Sequence, residues 1–448
     1  MTTTINNEHE KNQGRKVLNV PNKREQNQTC LDSAEREGLR QKGNVPILRF
    51  PEFQGEWEKT KIGDIAIVVG GGTPDTNTSQ YWNGKIQWFT PSEIGRNKYV
   101  YNSVRTISEE GLNKSSTKLL PIETILLSSR ATVGECSINK KECTTNQGFQ
   151  SLIPKENISN EFVYYLIQTK RKDLIRKSCG STFLEISANE VRKIVVSIPS
   201  IKEQDKIAKL LSLLDDRIAT QNKIIEDLKK LKAAIVEKVL CSPNQEYPMC
   251  RIEGFEQALS TYKMSDFSSR IATKNKDSKC SLVLTIAAQY GLVNQESFFN
   301  KSVASENLTG YYLLHKGEFA YNRSYSAGYD WGVVKRLDNY DEGVLSTLYI
   351  CFKINETIVD SDYLAYYFES SKWHKGLSDI AGEGARNHGL LNVSMTDYFN
   401  TKHRFPVIEE QKAIAKMLNT IAEKERKATL LGECYQKQKQ YLLCQMFT

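Results

Sequence analysis

Two stretches of the chain carry the hydrophobic spacing of long helices. From Ile207, inward positions recur at alternating steps of four and three residues, which is the spacing of a coiled-coil seam. A second stretch repeats this register from Ile414. Ser200 and Glu203 have the S-x-x-E form of a capping box directly after Pro199, so we expect the first helix to begin there. The predicted packing residues of the two seams are Ile207, Leu211, Leu214, Ile218, Ile225, Leu228, Ile414, Leu418, Ile421 and Leu442.

Two lysines interrupt the seams at matching positions, Lys232 in the first helix and Lys439 in the second. Two interpretations remain open for them. A polar seam residue can fix the register of a helix pair, whereas a long lysine side chain can also reach past the seam to solvent. The second seam is also weaker over residues 425–432, where we expect less regular pairing.

The helices belong to an internal repeat. Residues 198–211 and 405–418 share Pro, Ile, Glu-Gln, Ile-Ala-Lys and Leu without a gap, and the copies lie about 200 residues apart. Farther upstream, Arg49, Phe53, Lys61 and Asp64 correspond to Arg251, Phe255, Lys263 and Asp266. The repeat therefore predicts two variable blocks, each followed by one copy of the helix.

This alternation sets the predicted domain boundaries. They are a polar extension over residues 1–45, a first block over 46–198, a central repeated helix over 199–242, a second block over 243–404 and a C-terminal repeated helix over 405–448. The extension has few apolar residues and is predicted to be disordered. Both blocks mix strand-like and helical patterns, which favours a mixed α/β fold. The predicted pieces are strands at 65–69, 124–127, 151–153, 282–286 and 348–352, and helices at 161–170 and 362–373.

Composition supports folded domains and permits a polyanionic partner. Hydrophobic residues make up 39% of the 448-residue chain, which is enough to form sizeable cores. Lys and Arg exceed Asp and Glu by 61 to 53, giving a net charge of +8. A surplus of this size fits a nucleic-acid partner or an ordinary basic surface equally well. No apolar run approaches the roughly 20 residues of a membrane span, and the polar N-terminus favours a cytoplasmic protein.

Motifs of common enzymes are not found in the sequence. No Gly-Lys-Ser/Thr follows Gly70–Gly72, so a phosphate-binding Walker A loop is not expected. The dinucleotide-binding motif and the Asn/Asp-Pro-Pro-aromatic tetrapeptide of amino-methyltransferases are also missing. The ten cysteines include no C-x-x-C pair and the chain has five histidines, so no metal site is predicted. The chain is accordingly predicted to bind rather than to catalyse.

Basic, amide and aromatic residues in the blocks are candidates for DNA contacts. Arginine pairs with guanine and asparagine or glutamine with adenine in the major groove, and lysine or arginine also binds phosphates. Taken one at a time, each such residue is more often an ordinary surface residue. The candidates are Lys85, Arg96, Lys98, Arg130, Asn146 and Gln147 in the first block, and Tyr321, Asn322, Arg323, Tyr325, Arg386 and Asn387 in the second.

The order of short motifs resembles the specificity (S) subunit of type I restriction-modification systems. Pro199 and Pro406 begin Pro-x-x-x-Glu-Gln segments similar to the central and C-terminal repeated regions of that family. The resemblance covers about residues 45–448; the long N-terminal extension and the irregular middle of the second helix depart from it. The remaining motifs lie at 70–74, 90–93, 127–134 and 145–148 in the first half, and at 320–324, 343–349 and 382–386 in the second.

The resemblance implies a fold of the mixed α/β (α+β) class. Two globular target recognition domains would be joined and spaced by two long antiparallel coiled-coil helices with pseudo-two-fold symmetry. Each domain would recognise one half of a bipartite site on double-stranded DNA, and the helices would set the spacer. By the same analogy, Arg130, Asn146, Gln147, Arg323 and Arg386 fall in family motifs.

The resemblance also implies partners. Two methyltransferase (M) subunits would dock on the repeated helices, and restriction (R) subunits would complete an ATP-dependent nuclease, with no membrane partner. S-adenosylmethionine, ATP and Mg²⁺ would then bind to those partners and no cofactor to this chain. Two alternatives stay open: the recognition part of a fused methyltransferase or nuclease, and a coiled-coil scaffold, which explains the helices but not the two large blocks.

Overall fold

The chain forms two compact units in the computed structural model. The structure describes residues 43–180, 184–300, 307–324, 328–380, 386–387, 390–391 and 393–448. Of these, the first unit contains the residues up to Gln221 together with Leu431–Thr448, and the second unit contains Asn222–Leu430. Each unit therefore combines one variable block with parts of both long helices. The extension predicted over residues 1–45 lies, apart from its last three residues, outside the described residues.

The first unit contains three sheets. A five-stranded sheet has the order β2-β9-β6-β7-β4, a three-stranded sheet the order β5-β3-β8, and β1 pairs with β10. The strands are β1 Glu58–Lys61, β2 Ala66–Gly70, β3 Trp82–Phe89, β4 Tyr99–Val100, β5 Arg105–Ile107, β6 Ile125–Leu127, β7 Cys136–Asn139, β8 Cys143–Thr145, β9 Gln150–Pro154 and β10 Val195–Ile198. The helices are α1 Ile62–Ile65, α2 Glu109–Asn113, α3 Asn160–Thr169, α4 Arg171–Arg176, α5 Ala188–Arg192 and the long α6 Ile201–Val239, with 3₁₀ turns at Ser79–Tyr81 and Pro91–Glu93.

In the core of the first unit, the five-stranded sheet packs against the long helices. Helix α3 buries an unbroken run of apolar and aromatic side chains from Phe162 to Ile167. These residues share one hydrophobic cluster with Ile207 and Leu211 of α6 and with Phe447 near the C-terminus. Phe162 and Phe447 stack with ring centroids 5.2 Å apart. The block is thus anchored to both helices through one continuous apolar contact.

The second unit has a similar plan with smaller sheets. A four-stranded sheet has the order β12-β19-β16-β17, and four further strand pairs are β11-β22, β13-β14, β15-β18 and β20-β21. The strands are β11 Ser260–Lys263, β12 Ser268–Arg270, β13 Leu284–Ala287, β14 Gly291–Asn294, β15 Tyr312–His315, β16 Phe319–Asn322, β17 Val333–Arg336, β18 Glu342–Leu345, β19 Ile350–Ile354, β20 Arg386–Asn387, β21 Leu390–Leu391 and β22 Lys402–Phe405. The helices are α7 Met264–Phe267, α8 Gln295–Phe299, α9 Ser361–Glu369, α10 His374–Ser378, α11 Met395–Asn400 and the long α12 Ile408–Gln445, with a 3₁₀ turn at Lys276–Ser278.

One predicted helix of the second block is shorter than expected. The prediction over 362–373 is wrong at its end, because α9 stops at Glu369 and Ser370 adopts an extended conformation. The Ser370 hydroxyl donates a hydrogen bond to the Tyr367 carbonyl at 2.6 Å and closes the helix end. The chain then turns so that Lys372, only 5% exposed, reaches Glu237 of α6.

The two long helices follow the predicted seams. Among the predicted packing residues, Ile207, Leu211, Leu214, Ile414 and Leu418 are buried, and Ile218, Ile225, Leu228, Ile421 and Leu442 are half-buried. In the first unit the start of α6 and the end of α12 share a cluster, and in the second unit the end of α6 and the start of α12 do so. Within each unit, the two helix segments therefore run antiparallel.

Both seam lysines form ion pairs between the helices. In the second unit, Lys232 Nζ lies 2.9 Å from Glu425 Oε2. In the first unit, Lys439 Nζ lies 2.6 Å from Asp215 Oδ1. All four side chains are less than a third exposed. Each lysine thus has a partner on the facing helix, and Glu425 belongs to the stretch where weaker apolar packing was expected.

The repeated Pro-x-x-x-Glu-Gln motif attaches each long helix to its own block. Arg49 donates from Nε and Nη2 to the two carboxylate oxygens of Glu203, both at 2.8 Å. Arg251 makes the same fork-shaped contact with Glu410 in the second unit. The two glutamates are 2% and 1% exposed. Donating these hydrogen bonds to the carboxylates raises the pKa of both arginines above its usual value.

The glutamine of the motif makes a second attachment. The Gln204 side chain accepts a hydrogen bond from the Ser159 backbone N–H at the start of α3 and donates one to the Pro199 carbonyl. Gln411 makes the equivalent bonds to Asp360 at the start of α9 and to Pro406. Each long helix is therefore tied at its first turn to the helix of its block, which explains why these residues recur in both copies.

The predicted fold class is confirmed. Both blocks are mixed α/β, and both continue into a long helix that begins within three residues of a repeated proline. The capping box predicted from Ser200 and Glu203 is not formed as expected, because the Glu203 carboxylate binds Arg49 and the Trp57 indole instead. None of the described helices combines the length and the apolar character that crossing a membrane would require.

Candidate nucleic-acid interface

Three of the sequence motifs in the first unit come together at one edge of the sheets. The Gly72 N–H donates to the Thr145 carbonyl at 2.9 Å, and the Ser129 N–H donates to the Gly148 carbonyl at 2.8 Å. Gly71 permits this contact, since a side-chain carbon at that position would lie 1.9 Å from the Asn146 carbonyl oxygen. The motifs at 70–74, 127–134 and 145–148 therefore form one loop cluster, which we call the first polar surface.

Arg130, Asn146 and Gln147 lie on this first polar surface. Gln147 is exposed, and its side-chain oxygen accepts a hydrogen bond from the Thr73 hydroxyl. Asn146 is half-buried and uses its oxygen to accept from the Gly148 N–H at 2.9 Å, and no described residue bonds to its amide N–H₂ group, which can donate to a ligand. Arg130 is 47% exposed, and its Nε lies 3.7 Å from a Glu185 carboxylate oxygen. The structure thus places three predicted residues side by side.

Lys85 and Arg96 are exposed, whereas Lys98 is not. Its side chain is 8% exposed and forms an ion pair with Glu161 at 3.1 Å. Its ammonium also donates to Ser212 on α6 at 2.9 Å and lies 5.0 Å from the ring centre of Tyr165. Burial lowers the pKa of Lys98, and the Glu161 carboxylate acts against that shift. Lys98 therefore connects the block to its helix, and its position argues against the predicted DNA contact.

The second unit has a comparable loop cluster. The Leu391 N–H donates to the Arg323 carbonyl at 3.0 Å, and the Arg323 guanidinium reaches the Leu348 carbonyl at 3.4 Å and the Val393 carbonyl at 3.2 Å. The segments after β16, after β18 and around β21 therefore meet around Arg323. Asn322 accepts a hydrogen bond from the Ser324 N–H at 3.0 Å. We call this loop cluster the second polar surface.

Tyr321 does not belong to the second polar surface. Its side chain is fully buried, stacks on Tyr398 with ring centroids 4.7 Å apart, and donates its hydroxyl to the Trp331 carbonyl. Burial raises the pKa of its phenol above the usual value. The burial of Tyr321 argues against the predicted DNA contact, because β16 is buried on both faces up to this residue, whereas Asn322 lies half-buried at the strand end.

The Arg323 side chain bonds mainly to the protein's own backbone. Its guanidinium spans two backbone carbonyls, and its buried Nε has no hydrogen-bond partner among the described residues. This arrangement fits a residue that holds the loops of the second polar surface in place. Of the other predicted contacts, Arg386 and Asn387 form strand β20, which pairs with Leu390–Leu391. Tyr325 lies outside the described residues.

Sequence reasoning missed Arg105 and the two tryptophans beside it. The Arg105 guanidinium lies 3.6 Å from the ring centre of Trp82, and β5 pairs Arg105 with Trp88 on β3. Trp82 and Trp88 are six residues apart in one strand, and this even spacing could have predicted that both rings lie on the same face of the sheet. The arginine could not be assigned to that face without knowing that β5 pairs with β3. Among the described residues, no group of three or more His, Cys, Asp or Glu side chains could hold a metal ion.

The first block is similar in sequence to known proteins. Residues 54–230 match the family model described as the type I restriction modification DNA specificity domain. The MjaIX type I restriction enzyme specificity subunit of Methanocaldococcus jannaschii is 41% identical over 180 residues, which are 39% of this chain and 42% of the relative. A type I restriction enzyme specificity subunit of Escherichia coli is 32% identical over 191 residues, or 41% of this chain and 46% of the relative. The matched segments thus span less than half of either relative.

A solved structure extends the likeness to the whole fold. The S subunit of a type I restriction-modification system from M. genitalium is 15% identical, with a TM-score of 0.53 over 90% of this chain and 99% of that one. At this identity the likeness concerns the fold alone, including both blocks and the long helices. Residues 54–230 are accordingly similar to type I restriction-modification DNA specificity domains, and the chain resembles the specificity subunits of such systems, as its motifs predicted.

Proposed function

We propose that this chain is the DNA-recognition subunit of a type I restriction-modification complex. The observation that carries the proposal is the family match over the first block together with the loop cluster that gathers Arg130, Asn146 and Gln147 on one exposed surface. Arginine and amide side chains are the groups that pair with base edges in the major groove. The first polar surface would then contact one half of a bipartite site on double-stranded DNA.

The second block would contact the other half. Its loop cluster corresponds to the first one, since in both units the segment carrying the motif arginine bonds through its backbone to a neighbouring loop, Ser129 to Gly148 in the first and Arg323 to Leu391 in the second. The long helices would fix the distance between the half-sites. The repeated attachment of Glu203 and Glu410 supports this role, because it couples each block rigidly to its helix.

The partners proposed are methyltransferase and restriction subunits. The start of the long helix is repeated with the same side-chain contacts, and this two-fold repeat suits two copies of one methyltransferase subunit. S-adenosylmethionine, ATP and Mg²⁺ would bind to these partners, and this chain would contribute recognition without catalysis in the cytoplasm. The fused-enzyme alternative is not favoured, since the relatives that match the first block are named specificity subunits.

Mapping of methylated bases tests this function. Expressed alone, the chain is expected to methylate and cut no DNA, even with S-adenosylmethionine, ATP and Mg²⁺ supplied. Expressed with its methyltransferase subunit, it should direct methylation to a bipartite sequence that is unmodified when the chain is deleted. Turnover by the pure chain, or a methylation pattern that does not depend on it, would contradict the proposal.

Arg130 and Arg323 should behave differently when each is replaced by alanine. Arg130→Ala is expected to weaken or relax DNA recognition without loss of stability, because its exposed pair with Glu185 contributes little. A lost phosphate contact would reduce the salt dependence of the DNA affinity by about one unit of slope, and a lost base contact would cost about 1–3 kcal/mol of binding free energy at one base pair.

Arg323→Ala should instead destabilise the second unit by about 1–2 kcal/mol, since two carbonyls lose their donor.

Urea unfolding and DNA binding of both purified variants check this contrast. Wild-type affinity and specificity in Arg130→Ala would remove Arg130 from the interface. Wild-type stability in Arg323→Ala, together with relaxed specificity at one base pair, would show that Arg323 contacts DNA directly.

A further inference from the structure

We propose that Arg105 recognises a base pair in the first half-site, held in position by Trp82 and by the segment 101–105. This inference rests on the proposed function and adds a specificity-determining residue that none of the sequence motifs contains. The neighbouring Val104 and Tyr101 would form the apolar border of the same contact.

The guanidinium of Arg105 is stacked on an aromatic ring. It lies 3.6 Å from the ring centre of Trp82 and 5.6 Å from that of Trp88. Among the described residues, the Arg105 side chain makes no hydrogen bond and no ion pair, although it is exposed. Stacking on an aromatic face orients the planar group while leaving its N–H donors free. Arg105 is thus pre-organised for a ligand that accepts two parallel hydrogen bonds.

The aromatic platform is itself fixed to the loop that borders the first polar surface. Trp82 donates its indole N–H to the Asp75 carbonyl and Trp88 donates to the Gly72 carbonyl, both at 3.0 Å. The two rings meet edge to face with centroids 5.0 Å apart. Because Gly72 also bonds to Thr145, this platform is continuous with the loop cluster that carries Asn146 and Gln147.

The chain leading into Arg105 is rigidly held. One carboxylate oxygen of Glu93 accepts from the Val104 N–H at 2.6 Å, while the other accepts from the Thr90 N–H and hydroxyl, each at 2.7 Å. Gln87 accepts from the Ser103 N–H at 2.7 Å, and the Ser103 hydroxyl donates to the Arg105 carbonyl at 2.6 Å. The motif Thr90-Pro-Ser-Glu93 therefore positions the segment 101–105.

The surroundings of Arg105 favour a base edge over a phosphate. Val104 is 87% exposed and Tyr101 is 54% exposed, so the rigid segment that leads into Arg105 presents apolar surface next to it along the chain. A bare apolar side chain gains nothing from a hydrated phosphate, whereas in the major groove it can pack against a thymine methyl group. The donor fork of arginine matches the two acceptors of guanine. Arg105 with Val104 is therefore suited to a guanine next to an apolar base edge.

Selection from a randomised DNA pool tests this assignment. The full chain, purified with its co-expressed methyltransferase subunit, is incubated with duplexes containing a randomised stretch, and the bound fraction is sequenced. The wild-type complex should select a bipartite motif. Arg105→Ala should select the same motif with one position of one half-site relaxed, the preference there falling about 5- to 150-fold. Arg105→Lys should weaken the same position, because it keeps the charge but loses the planar fork.

Matched variants separate the possible outcomes. Arg176 is 76% exposed and pairs with Asp173 one helical turn away, so Arg176→Ala removes an equal charge and should leave the motif unchanged. Failure of the wild-type complex to select any bipartite motif would contradict the proposed function itself. A wild-type motif with unchanged preferences in both Arg105 variants would overturn the role of Arg105 alone. A uniform loss of affinity with an unchanged motif would identify a phosphate contact and likewise overturn it.

Discussion

Replacing Glu203 with alanine is expected to lower the free energy of unfolding by about 3 kcal/mol, because it leaves a largely buried arginine without the carboxylate that balances its charge. Arg49 is 14% exposed and donates two hydrogen bonds to that carboxylate, which also accepts from the Trp57 indole. The loss should appear in urea unfolding followed by circular dichroism. Glu410→Ala should give a similar loss through Arg251 in the second unit.

An exposed glutamate on the same helix provides the control. Glu226 is 66% exposed and pairs with Lys230 within α6, so Glu226→Ala should cost no more than a few tenths of a kcal/mol. Equal losses in Glu203→Ala and Glu226→Ala would mean that the attachment of the helix to its block does not stabilise the fold. The repeat would then need another explanation.

Lengthening both long helices should lengthen the spacer of the DNA site. The proposed insertion adds four helix-forming residues after Gln221 in α6 and four after Leu430 in α12, at the boundary between the units. Each unit keeps its own ion pair, Asp215–Lys439 in the first and Lys232–Glu425 in the second. Four residues add about 6 Å and rotate a helix by about 40° beyond a full turn.

In DNA, the added length corresponds to nearly two base pairs and the added rotation to about one. A base pair adds about 3.4 Å and, at about 10.5 base pairs per turn, a rotation near 34°. The preferred spacer should therefore grow by one or two base pairs while both half-site sequences stay the same, as mapped by methylome sequencing. A matched insertion of two residues in each helix should break the seam and abolish methylation. Retained methylation with an unchanged spacer in the four-residue variant would mean that the helices do not measure the gap.

The long helices could be predicted because their apolar residues recur periodically. The repeat could be predicted because two short segments share the same residues. Steps of four and three residues identify a seam without any tertiary knowledge, and Ile207 and Ile414 are indeed buried. The same pattern could not identify the partner of Glu203. Its S-x-x-E spacing predicted a capping bond three residues away, but the carboxylate binds Arg49, which is 154 residues distant in sequence.

The candidate interface could be predicted only in part, for a similar reason. Arg130, Asn146 and Gln147 lie in loops whose turns can be recognised from glycine and asparagine. Lys98 and Tyr321 have the same chemistry but lie inward, and only the pairing of Lys98 with Ser212 and of Tyr321 with Tyr398 reveals this. Residue type indicates which chemistry is available, whereas long-range packing decides which residues present it to a ligand.

Exchange of the first block tests the central claim most directly. Residues 66–194 are replaced by those of a relative with a different target, so that β1, β10 and the Arg49–Glu203 attachment remain those of this chain. Methylated sites are then mapped in cells that contain the methyltransferase subunit. The account predicts that one half-site changes to the donor's sequence while the other half-site is retained. A change in both half-sites, or in neither, would contradict the claim that each unit recognises its own half of the DNA site.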